Sequence, residues 1–139
     1  MSVTKTLLAG LGLTALTTVV WAHPPDRGQM RRVKAAAHDL EGAVRHVHES
    51  AGRGHGRALD NLQKKARRFH RQVEKHQGDP AQTEDDFAAL ADAYFHARDQ
   101  VHHADDHLRD DFRDVESHMH VLMDFYGGCD YGDQQRGRH

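Results

Sequence analysis

Apolar residues recur along most of this chain at steps of three and four, which places them on one face of an α-helix. No stretch alternates with the period of two expected of a strand. The first stripe is Val33, Ala37, Leu40, Val44 and Val47. Ahead of it, Asp26 is placed to cap the first turn, and Gln29 three residues on completes a capping box. The glycines of Gly52-Arg53-Gly54-His55-Gly56 end this helix, because each adds backbone freedom that a helix would have to freeze out. A second stripe follows: Leu59, Leu62, Ala66, Phe69 and Val73 form the seam of a helix packed against near-antiparallel neighbours, closed by Gly78. Asp79-Pro80 marks the next boundary. Thr83 with Asp86 offers a second capping box, from which a third helix would begin ahead of Phe87.

From Phe87 the apolar positions run on through Leu90, Tyr94, Ala97, Val101, Ala104, Leu108, Phe112, Val115, Met119, Leu122 and Tyr126 with no Gly or Pro between them. Two helices of about 22 residues would match the first pair and close a four-helix bundle. One helix of about 42 residues would reach roughly 60 Å and leave half its stripe uncovered unless a homodimer covered it. A turn near His102 to Asp106 is favoured, since the spacing slips to four-four at Ala104, Leu108 and Phe112, and Asp105 or Asp106 can cap a new helix. The expected fold is all-α: an antiparallel four-helix bundle, with three helices and a long, dimerising third as the alternative.

The ends of the chain differ from this middle. Lys5 precedes an uncharged run from Thr6 to Trp21, and Val20-Trp21-Ala22 supplies the small residues that signal peptidase accepts. Residues 1–22 are therefore expected to be a signal peptide and 23–126 the helical bundle. The segment GGCDYGDQQRGRH over 127–139 is expected to be a flexible Gly-rich tail. The mature chain would be periplasmic or secreted, with no integral membrane segment after cleavage. Leu11 stands where a lipoprotein would carry its acylated cysteine. With Cys129 the one cysteine, no intramolecular disulfide can form, and packing alone must hold the fold; Cys129 is left as a free thiol or a link between two copies.

Charge is divided along the chain. Residues 23–78 carry thirteen Lys and Arg against six Asp and Glu, whereas residues 79–139 carry five against fifteen. Such halves attract when folded together, so an internal fit is the first expectation. The basic face of the second helix, Lys64, Lys65, Arg67, Arg68, Arg71 and Lys75, also suits anionic lipid or another polyanion, though pairing with the acidic second hairpin or simple solvation is the stronger reading. Nucleic acid is not an expected partner of an exported chain with a formal net charge of −2.

Histidine is the compositional excess with chemical content: there are fourteen, and imidazole is the commonest protein ligand for zinc, copper and nickel. If the third helix is unbroken, Asp99, His103, His107 and Asp111 repeat every four residues, with His96 one turn above Asp99. These five are the candidate metal ligands, for Zn, Cu or Ni, on a solvent-facing stripe suited to weak binding. The favoured turn would fall inside this row. His46 with His48, and His118 with His120, diverge on a helix and cannot share an ion without help from another helix. His76 extends the second seam at the bundle end, and His23 would be the new N-terminus.

A b-type haem is a weaker alternative. Met30 near the start of the first helix and His118 near the end of the fourth can approach each other as axial ligands, an arrangement similar to that of cytochrome b562, although His118 flanks the apolar seam and does not lie on it. No CxxCH, HExxH, nucleophile elbow or phosphate loop is present. The expectation is a non-enzymatic exported bundle that binds divalent metals weakly, or else an envelope structural or protein-interaction module without metal.

Overall fold

A computed structural model describes residues 26–52 and 56–127. The expected leader, His23, residues 53–55 and the segment with Cys129 lie outside the described residues. Four helices and no strand are found among those described: α1 (Arg27–Ala51), α2 (Gly56–Lys75), α3 (Pro80–His102) and α4 (Asp106–Phe125). None is long and apolar enough to cross a membrane.

The caps show why the helices start where they do. The Asp26 carboxylate accepts from the Gln29 N–H at 2.6 Å, so α1 begins at the expected box. The long apolar run divides at His103 to Asp105, and the Asp105 carboxylate accepts from the Leu108 N–H at 2.9 Å to open α4. The start of α3 corrects the sequence reading. The cap is Asp79, which accepts from the Ala81 N–H at 3.1 Å, and Pro80 supplies the first helical residue with its φ already set. Thr83 lies within the first turn of α3, not at its cap, and is buried, while Asp86 reaches across to Arg68 on α2.

Connections this short force each helix to run antiparallel to the one before it. The start of α1 meets the end of α2, where Gly78 lies against the Met30 carbonyl, and the start of α3 meets the end of α4, where Thr83 meets Tyr126. Around the bundle the order is α1, α2, α3, α4. The packing of α1 on α4, α2 on α3 and α1 on α2 is extensive; that of α3 on α4 is slight.

Every residue of the first two expected stripes is buried, as are Phe87, Leu90, Tyr94, Ala97 and Val101 on α3 and Leu108, Phe112, Val115, Met119 and Leu122 on α4. At one end Phe87 stacks on Tyr126 with ring centroids 4.2 Å apart, and Phe69 packs against both. Nearer the α3–α4 turn Tyr94 stacks on Phe112 at 5.8 Å. Burial of this aliphatic and aromatic surface is the main source of stability, at roughly 25 cal/mol per Å² removed from water.

Candidate functional site

The exposed faces carry the chemistry. On α1, Lys34, His38 and Glu41 follow at steps of four and three along the side facing α2; on α2, His70 and Glu74 are one turn apart on the side facing α1. Antiparallel packing brings the two groups together. His70 Nδ1 hydrogen-bonds the Glu41 carboxylate, and its Nε2 lies 3.7 Å from Glu74 Oε1. Glu74 also pairs with Lys34 at 3.4 Å. The His38 ring stands edge-on to that of His70, centroids 5.5 Å apart, with its Nδ1 3.3 Å from Asp39.

This seam is only half covered, since His70 and Glu41 keep 21% and 25% of their side-chain exposure. Two imidazoles and three carboxylates are therefore held together within reach of solvent ions. An imidazole ring has one N–H when neutral and two when protonated, so His70 can donate toward both Glu41 and Glu74 only as the cation. A metal ion would have to displace these pairs, because among the described residues no three His, Cys, Asp or Glu side chains are disposed to hold one ion.

Two more histidines of α1 reach neighbouring helices and diverge as their spacing requires. His46 Nε2 faces Asp111 of α4 at 3.8 Å, and His48 hydrogen-bonds Asp60 of α2. Of the five residues singled out from the sequence, His96 and Asp99 are exposed on α3, His103 follows its last residue, and His107 and Asp111 belong to the first turns of α4. The turn at 103–105 breaks the row between His103 and His107. The structure pairs Asp111 with His46, and among the described residues no three side chains of the row are disposed to hold one ion.

Neither His38 nor His70 stands out in the sequence. The signal that could have found them is His70-x-x-x-Glu74 and His38-x-x-Glu41 on helices expected to pack side by side; only the register of α1 against α2 makes them one cluster. His118 and Met30 are half-buried, and the bundle interior around Val33, Leu40, Leu62, Phe69, Phe112 and Met119 is filled by side chains.

Where α3 and α4 diverge there is an open hollow of about 550 Å³, walled by His102, Arg109, Arg113 and Glu116. Arg109 and Arg113 are each paired with the aspartate three residues before them, Asp106 and Asp110. Beside it the Arg98 guanidinium lies over the Phe95 ring at 4.8 Å and that of Tyr94 at 5.8 Å, shielding Phe95 from water. Burial pushes the Tyr94 phenol above its ordinary 10.0 and nearby Glu116 adds to the rise, while Arg98 opposes it by charge and hydrogen bonding.

The expected internal fit between the basic and acidic hairpins is narrow. Among the described residues the ion pairs that cross between hairpins are Arg68 with Asp86 at 3.1 Å and His46 with Asp111. Lys64, Lys65, Arg67, Arg71 and Lys75 make no ion pair among the described residues.

No family model, curated protein or solved structure matches the chain.

Proposed function

We propose that this chain is an exported, non-enzymatic helical bundle that binds divalent transition metals weakly through surface imidazole and carboxylate groups. The observation that carries the reading is the α1–α2 cluster of His38, Asp39, Glu41, His70 and Glu74, where nitrogen and oxygen donors suited to Zn²⁺, Cu²⁺ or Ni²⁺ converge from two helices. The existing His–carboxylate pairs must rearrange before an ion is held, which argues for loose binding. His96, Asp99, His103, His107 and Asp111 supply further exposed donors on the other hairpin. The buried Thr83 hydroxyl is occupied with structural hydrogen bonds and offers no reacting group.

The test is calorimetric titration of the full chain with each ion. Binding in the micromolar range is expected, weakening toward about pH 5 as protons compete for the imidazoles. His38→Ala/His70→Ala lowers affinity if the cluster is the main site, and His96→Ala/His103→Ala/His107→Ala does so if the α3–α4 histidines are. Heat no greater than that of a His-poor control bundle would end the metal reading.

A further inference from the structure

The outer edge of α2 is cationic along its whole length. Arg57, Lys64 and Arg71 recur every seven residues and Lys75 follows one turn later, so all four lie in a narrow band on the side opposite the buried Leu62, Ala66, Phe69 and Val73. All four are exposed, and none is in an ion pair among the described residues. The two acids of α2 are both engaged on the α1 side, Asp60 by His48 and Glu74 by Lys34 and His70. The band spans about 27 Å of helix. Diagonally across the bundle α4 exposes Asp106, Asp110, Asp114 and Asp124, so the molecule has a positive edge and a negative back.

We infer that this edge of α2 docks the protein onto an anionic lipid surface, α2 lying along the bilayer and α4 facing away. Shape and charge select this occupant. A single helix at the corner of a bundle is convex and meets a plane of phosphate headgroups along its length, whereas proteins that track a linear polyanion do so in a positively charged groove. A second copy of the chain could offer its acidic face, but stable protein interfaces have an apolar centre, and Val121 on α4 is the one large hydrophobic side chain exposed among the described residues. Exposed ion pairs alone would leave such a dimer weak. A membrane needs no apolar insertion, because its surface potential attracts every basic residue within a Debye length. Repulsion of the acidic back fixes the orientation. The inference does not rest on metal binding.

The experiment is co-sedimentation of the full chain with phosphatidylglycerol/phosphatidylcholine vesicles and with phosphatidylcholine alone, at low salt and at about 0.5 M NaCl. Selective binding to the anionic vesicles, lost at high salt, is expected. Lys64→Gln/Arg71→Gln/Lys75→Gln should lower that partition roughly 100-fold, at about fivefold per basic residue near the surface. Arg45→Gln/Arg109→Gln/Arg113→Gln makes the same change in net charge elsewhere and should retain most of the binding. Circular dichroism confirms that both variants are folded. Equal binding to the two vesicle types, which an apolar leader would produce, overturns the inference. So does native-like binding by the α2 variant, as do polyphosphate binding or self-association without vesicle binding.

Discussion

Thr83 Oγ1 lies 2.6 Å from the Tyr126 hydroxyl, joining the first turn of α3 to the end of α4 across forty-three residues. The same oxygen is 3.1 Å from the Asp79 carbonyl, which can only accept. Thr83 therefore gives its single proton to Asp79 and accepts from Tyr126. The short chain of bonds satisfies a hydroxyl that is fully buried among Phe69, Phe87 and Tyr126.

Removing either member should cost stability unequally. Tyr126→Phe leaves the Thr83 proton satisfied and is expected to lower unfolding free energy by about 1 kcal/mol. Thr83→Val removes two bonds at once, that to the Asp79 carbonyl and that with the Tyr126 hydroxyl, and should cost about 1–3 kcal/mol. Urea unfolding of both single variants and the double variant forms a cycle; strictly additive losses would contradict a direct bond.

Glycine replacements should have opposite signs at two positions. Gly78 sits at φ 77°, and a Cβ there would collide with the Met30 carbonyl oxygen. Gly78→Ala is therefore expected to lower stability by at least about 2 kcal/mol, because the left-handed backbone alone costs about 1–2 kcal/mol. Gly42, inside α1, has open space where its Cβ would go, so Gly42→Ala should raise stability by about 0.5–1 kcal/mol. Thermal melts of the two variants against the native chain decide both.

Asp105 is the residue that makes two helices of one apolar run. Asp105→Ala should cost about 1 kcal/mol through loss of the bond to the Leu108 N–H, while Asp105→Asn or Asp105→Ser should recover most of it. Equal losses in the Ala and Asn variants would show that the cap contributes nothing.

Tyr94 gives the fold an alkaline weakness. Its folded pKa is raised above 10.0, so its contribution to stability is whole below that value and is lost as pH rises through the folded one. Melting temperature should therefore fall more steeply in the native chain than in Tyr94→Phe between about pH 9 and about pH 11. Parallel curves would rule out Tyr94 as the cause.

Much of the architecture was legible because helix periodicity is local. A stripe such as Leu59, Leu62, Ala66, Phe69 and Val73 names its own buried face, and Asp26 and Asp105, the latter one of two candidates with Asp106, mark helix starts through side-chain oxygens that bond amides three residues on. Thr83 misled for the same local reason. Its hydroxyl suits a cap by sequence, but Asp79-Pro80 opens the helix earlier and the hydroxyl is taken by Tyr126, a residue no short-range pattern connects to it.

The sequence by itself determined the amphipathic stripes of an all-α fold, the cap that opens α1, and the separation of a basic from an acidic half, and it favoured four helices over three. All of these depend on neighbours within about one or two turns of chain. Tertiary structure decided the rest. The register of α1 on α2 joined His38 and Glu41 to His70 and Glu74, while the turn after His102 divided the histidine row that an unbroken helix would have kept. Only the packed bundle could show that one cross-hairpin bond engages Arg68, while the rest of the α2 edge keeps its charge toward solvent. A surface charge carries no sequence mark of its partner; its pairing depends on which helix lies beside it.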